Sequence, residues 1–168
     1  MKVIGKQRNS RMCFICGMDN PIGLKAPFYN MEDGSVMTLF RYGEEHQSFP
    51  ERVHGGLAAT MLDELGLRAL WTKSGEDVLG VTMSMTVKYR KPVPYNEPLI
   101  GKGIVIKETS QFATMKTEIY DQKGCLLVNA EVSYIKLSPQ KIAEGIQPHE
   151  EMCYLIEDNV TEISFLPV

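Results

Sequence analysis

His54, Gly55 and Gly56 run directly into the longest proline-free apolar stretch of the chain, and Asp63 follows inside that stretch. Each of these residue types suits one part of an acyl transfer. Two glycines at the start of a helix let a ligand approach the backbone with no side chain in the way. The first N–H groups of a helix lack intrahelical acceptors and sit at the positive end of its dipole. Such donors can receive a carbonyl oxygen as it gains negative charge. Glycines that merely ease a sharp turn would look the same, so the turn alone decides little. Asp63 adds to it. Gly56, Ala59, Asp63, Gly66 and Leu70 recur at spacings of three and four, so they share one helix face. A carboxylate on a small-residue stripe is costly to bury without a partner. Desolvated carboxylates also hold protons more tightly, which suits general-base work near neutral pH. Contact with solvent at the edge of the stripe, or a basic partner, would make it an ordinary acid instead. The neighbouring Glu64 can pair with Arg68, four residues on.

The elements that must hold these residues can be read from periodicity. Leu57 to Lys73 reads as a helix, preceded by Gly55-Gly56 and closed by Ser74-Gly75. It is apolar almost all round, so it should be buried on most sides. Val81, Met83, Met85, Val87 and Tyr89 then alternate with Thr82, Ser84, Thr86, Lys88 and Arg90, a strand with period two. On that pattern Met83 and Met85 point to the core. Leu99 to Glu108, Phe112 to Tyr120 and Cys125 to Leu137 read as three further strands, with a turn at Asp121-Gln122-Lys123-Gly124. Before the helix, Leu24 to Tyr29 and Val36 to Tyr42 read as strands joined at Met31-Glu32-Asp33-Gly34, and Gly43 to Arg52 reads as a loop. Two strands, one buried helix and four strands are satisfied by an α+β fold, an antiparallel sheet wrapped round one central helix. Residues 1–12 are expected to be an N-terminal extension, 13–138 the domain, and 139–168 a tail whose role is not legible.

Bulk properties narrow the function classes. The chain has 168 residues, enough for one core. A net charge of -3 gives no general case for nucleic acid. No run approaches the roughly 18 apolar residues that span a bilayer. Met1 to Arg11 is polar and basic with no apolar segment, which is unlike a secretory signal. A cytoplasmic location with no membrane partner is therefore expected. Cys13 and Cys16 form a C-x-x-C, but no second pair or matched histidines follow in sequence. Nor does a strand-turn-helix context follow, as a redox motif would need. The expectation is two reduced, partly buried thiols, with no metal and no cofactor.

His54-Gly55-Gly56 followed by Asp63 (HGGLAATMLD) resembles the signature of hotdog-fold acyl-CoA thioesterases of the phenylacetate-pathway (PaaI-like) type. Gly80-Val81-Thr82 and Lys88-Tyr89-Arg90-Lys91-Pro92 look like the strand and basic turn that follow it in that family. Cys13 to Gly17 and Asn20 to Leu24 are similar to the opening of many bacterial members. The resemblance implies a hotdog fold and a homodimer joined edge to edge, or a dimer of such dimers, with sites shared between subunits. It implies an acyl-CoA substrate whose carbonyl is held by the Gly55 amide, and Asp63 of the partner subunit as general base or nucleophile. It further implies that Thr82 helps place the attacking water and that His54 holds the turn and orients the carbonyl. Gly56 would line the substrate path, and Lys88, Arg90 and Lys91 would meet the phosphates of coenzyme A. Thr82 as a plain strand residue, His54 as a structural histidine and the three cations as a solvated edge are the competing readings. One departure stands out. Relatives place Asn or Gln six residues before the histidine, where this chain has Ser48, with Gln47 beside it.

Two other classes share this fold. A hydratase acting on enoyl or hydroxyacyl thioesters would pair its carboxylate with a catalytic histidine. The position five after Asp63 is Arg68, and His46 lies in a predicted loop. A non-catalytic acyl-CoA binder could dispense with the base, yet Asp63 is present.

Overall fold

The computed structural model describes residues 1–142 and 148–165. Its centre is helix α1, Gly55–Ser74. Met61, Leu62, Leu65 and Leu70 on it are fully buried. Removing each such side chain from water contributes about 1.5–3 kcal/mol. α1 packs on β7 (Leu99–Glu108) and β8 (Phe112–Asp121), and touches β6 (Leu79–Tyr89) and β9 (Leu126–Leu137). It ends at Gly75, a glycine at φ 78° whose N–H bonds back to the Trp71 carbonyl. That is the stop expected of glycine just past a helix.

With β1 (Val3–Lys6), β2 (Tyr29–Met31) and β3 (Val36–Phe40), these strands form one antiparallel seven-stranded sheet. Its order is β1-β2-β3-β7-β8-β9-β6. The expected α+β layout, one long helix against a large antiparallel sheet, is what forms. β4 (Gln47–Phe49) and β5 (Arg52–Val53) make a separate small hairpin leading into α1, after a 3-10 turn at Glu44–His46. Two short helical turns, α2 (Pro139–Ile142) and α3 (Pro148–Glu151), lie in the tail. Among the described residues no helix is long and apolar enough to cross a membrane.

The structure departs from the sequence reading at four places. Residues 24–28 are not a strand. Leu24 and Ala26 donate instead to the Phe14 and Ile15 carbonyls, and Lys25 takes φ 52°, which breaks an extended run. The polar segment 43–52 is not only loop, since its backbone pairs into the β4–β5 hairpin. Val3–Lys6, within the expected extension, joins the sheet beside β2. The tail folds back onto it: Val3 donates to the Thr161 carbonyl, Lys6 pairs with Asp158 at 2.7 Å, and Ile163 is buried against Met31 and Met37. Those contacts are between chain ends, which local periodicity does not register.

The fourth departure matters for chemistry. In β6, Thr82 pairs with Tyr134 and Ser84 with Ser133, so Met83 is an extra, bulged residue. The bulge resets the alternation. Thr82 faces the helix before it; Met85, Val87 and Tyr89 face the helix after it. Met83 is 59% exposed rather than a core residue.

Candidate active site

His54 is the N-cap of α1, with φ -62° and ψ 130°, and its Nδ1 accepts the Gly56 N–H at 3.0 Å. A neutral ring that accepts at Nδ1 carries its proton on Nε2 and can donate from there. The cap also separates the two glycines. Gly56 spends its N–H on His54, whereas Gly55, the first helical residue, has no intrahelical acceptor for its own. Of the pair, Gly55 is the one with a donor to offer. Tyr89 secures that residue from the sheet: its hydroxyl donates to the Gly55 carbonyl at 2.9 Å. A Cβ at Gly55 would lie 3.3 Å from the Tyr89 ring.

A cleft of about 330 Å³ opens on this turn, lined by Val53, Gly55, Ala58, Tyr89, Arg90, Lys91, Pro92 and Val93. The free amide and two cations thus share one cavity. Arg90 is oriented by Asn129, whose Oδ1 accepts from its Nε at 2.9 Å, and Lys91 donates to Cys125 Sγ at 2.8 Å. Of the residues predicted to bind substrate, three stand apart from the cleft lining. Lys88 points from the other side of β6, into a hollow with Thr86, Lys116 and Glu131, because neighbours along a strand face opposite ways. Ser48 is exposed in β4, and Gly56 is exposed beside its cap.

Asp63 is half-buried and firmly oriented. Thr82 Oγ1 donates to its Oδ1 at 2.8 Å, and the Tyr134 hydroxyl lies 3.0 Å from the same oxygen while also reaching the Asp63 backbone carbonyl. Burial, then the nearby Asp63 charge, pushes the Tyr134 phenol well above its ordinary value, so it stays a donor. Among the described residues Oδ2 carries no hydrogen bond. Tyr134 reaches this place only because residue 66 is glycine, where a Cβ would collide with the phenol oxygen. Gly66, chosen in the sequence as part of a small-residue stripe, is therefore space for Tyr134. Glu64 pairs with Arg68 at 2.8 Å, as its spacing suggested.

A sequence profile described as the thioesterase superfamily matches residues 51–128, from the β4–β5 turn through the helix, the bulged strand and the basic turn. The matched segment is similar to a thioesterase-superfamily domain. Over 139 residues it is 26% identical to acyl-coenzyme A thioesterase THEM4 of Mus musculus, a match that spans 81% of this chain and 58% of that protein. The chain thus covers little more than half the length of this curated relative. A crystallised thioesterase-superfamily protein superposes with a TM-score of 0.67 at 26% identity, over 74% of this chain and 60% of that one. A mutant of the phenylacetic acid degradation protein PaaI from Thermus thermophilus shares the fold. It superposes with a TM-score of 0.54 at 17% identity, over 62% of this chain and 86% of that one.

Two residues at this site escaped sequence reasoning: Tyr134, which holds Asp63, and Tyr89, which holds Gly55. Tyr89 lies inside the Lys88-to-Pro92 run, so its place in that candidate basic turn was a usable signal. Tyr134 had none, because 71 residues separate it from Asp63. His46 is 4% exposed, and its Nδ1 accepts the Gly43 N–H at 2.9 Å. It serves the loop and is no stand-in for a hydratase histidine.

Proposed function

We propose that this chain hydrolyses acyl-CoA thioesters at sites shared between two subunits. The carrying observation is a separation. Gly55 and Asp63 lie eight residues apart on one helix, so about 12 Å along its axis, too far to meet on one carbonyl. Each is nonetheless prepared for use, one with a free N–H in a cleft, the other with a carboxylate held by two hydroxyls. A second subunit can supply the missing half. β6 supports this pairing: it is an eleven-residue edge strand carrying the exposed Val81, Met83 and Tyr89. Unpaired edges of that length invite strand addition.

In this reading the Gly55 N–H binds the thioester oxygen at the positive end of α1. Asp63 of the partner subunit takes a proton from water through its free oxygen as the water attacks the carbonyl carbon. The tetrahedral intermediate then collapses, the C–S bond breaks, and coenzyme A leaves as a thiolate. No dedicated acid is needed, since a thiol titrates near pKa 8.5. Thr82 fixes the carboxylate through Oδ1 and keeps its lone pairs for the water. Arg90 and Lys91 face the same cleft and suit the phosphates of the cofactor-like leaving group. The THEM4 relative, an acyl-coenzyme A thioesterase by name, supports the substrate class.

The test is thiol release from a panel of acyl-CoAs, with absorbance of the enoyl group followed in parallel. Hydrolysis without enoyl consumption is expected; enoyl loss without thiol would mark a hydratase, and binding alone a sensor. Subunit sharing has its own test. Asp63→Asn and Gly55→Pro chains, each inactive, are co-expressed so that they mix at random. Half the dimers are then mixed, each with one intact site, and about a quarter of wild-type activity should return. No recovery would sink the shared site. Thr82→Ala removes a hydrogen bond to a charged acceptor, worth about 1.5–3 kcal/mol, so turnover should fall roughly ten- to a hundredfold. Tyr134→Phe keeps the ring beneath Gly66 and should fall in the same range. Unchanged kcat in both would mean that Asp63 needs no orienting.

A further inference from the structure

Away from the cleft, Cys13, Cys16 and Glu64 form a second cluster, with two sulfurs and a carboxylate oxygen all within 4.8 Å of one another. The C-x-x-C makes a tight turn. The Ile15 and Cys16 N–H groups both donate to Cys13 Sγ, at 3.3 and 3.4 Å. Ser10 Oγ accepts the Cys13 N–H at 3.1 Å and lies 3.2 Å from Cys16 Sγ, so its own proton is free for that sulfur. Glu64 divides its oxygens: Oε1 accepts from Arg68 Nε at 2.8 Å, and Oε2 faces Cys13 Sγ at 3.7 Å. Arg68 is wholly buried between the Phe28 and Trp71 rings, and among the described residues its Nη2 has no hydrogen-bond partner. Arg68 is among the residues that line the same hollow as the two thiols and Glu64, a space of about 250 Å³.

Two backbone N–H groups and the Ser10 hydroxyl already point at these sulfurs, as the outer-shell donors of a metal thiolate site do. Two thiolates and one carboxylate carry three negative charges. Arg68 offsets one, and a dication would offset the other two. We propose that Cys13 Sγ, Cys16 Sγ and Glu64 Oε2 bind a soft divalent cation of the zinc class, with a water from the hollow as fourth ligand. Mixed thiolate and carboxylate sets suit zinc, and three protein ligands plus water complete a tetrahedron. The sequence lacked a second cysteine pair because the third ligand comes from a helix about fifty residues away. Such a site would tie the N-terminal turn to α1 at the residue beside Asp63. The N–H···S bonds and Arg68 would then act as the outer shell that orients ligands.

The full chain, reduced and stripped with chelator, is titrated with Co²⁺ and then Zn²⁺ without oxygen. One Co²⁺ per chain is expected, with a thiolate-to-metal absorption band and the strong visible bands of tetrahedral cobalt, lost when Zn²⁺ displaces it. Cys125→Ser/Cys153→Ser should keep the spectrum, and Cys13→Ser/Cys16→Ser should abolish it. Glu64→Gln, which leaves both sulfurs, should weaken binding at least about ten-fold and alter the visible bands. The site does not exist if wild-type protein shows no thiolate band, or if the band follows Cys125 and Cys153. Should the double cysteine variant fail to fold, unchanged Co²⁺ affinity in Glu64→Gln overturns the proposal equally.

Discussion

Gly55→Pro is expected to lower kcat for acyl-CoA hydrolysis by about 10²–10³-fold while the protein stays folded, the loss typical of a missing oxyanion donor. The substitution is unusually clean on physical grounds. Gly55 is the first residue of α1, the position that tolerates proline best because its N–H has no intrahelical partner. His54 before it is already extended, at φ -62° and ψ 130°, as a residue preceding proline must be. The new ring meets Tyr89 at 3.3 Å, a tight contact that asks a shift of a few tenths of an ångström. What disappears is the one N–H that neither the helix nor His54 uses. Circular dichroism and melting temperature close to wild type, with activity gone, would support Gly55 as the donor. Activity within about threefold of wild type would show that the carbonyl is held elsewhere.

Asp63→Asn should cost at least about a hundredfold in turnover, the size of a lost general base. The amide is nearly isosteric, and its oxygen can still accept from Thr82 and Tyr134, which of the two carboxylate oxygens bond Oδ1. Orientation is therefore kept, and basicity at the second atom is removed. A single turnover in oxygen-18 water refines the role. Label only in the product acid means direct water attack, whereas label in Asp63 means a mixed anhydride. Native-like turnover in Asp63→Asn would leave this carboxylate a structural ligand for two hydroxyls.

Much of this site was legible because its parts are local. The helix start, its glycines and the acid seven residues later lie within ten consecutive residues, where spacing alone places side chains on faces. The same holds for the long strands after the helix, whose period of two survives in any sheet that covers one face. The bulge at Met83 defeated that reading for Val81 and Met83, since one unpaired residue sets the strand before it on the opposite alternation to Met85, Val87 and Tyr89 and leaves no mark in hydrophobic patterning.

What the amino-acid order determined by itself is the helix, its cap, the free Gly55 amide and the face that carries Asp63, all products of interactions a few residues long. Only the tertiary structure decided which groups serve them. Tyr134 reaches Asp63 through the gap at Gly66, Tyr89 clasps Gly55 from an edge strand, and Glu64 joins Cys13 and Cys16. Those meetings depend on sheet register and on how closely a helix can approach a strand, quantities set by packing of the whole core rather than by any stretch of sequence.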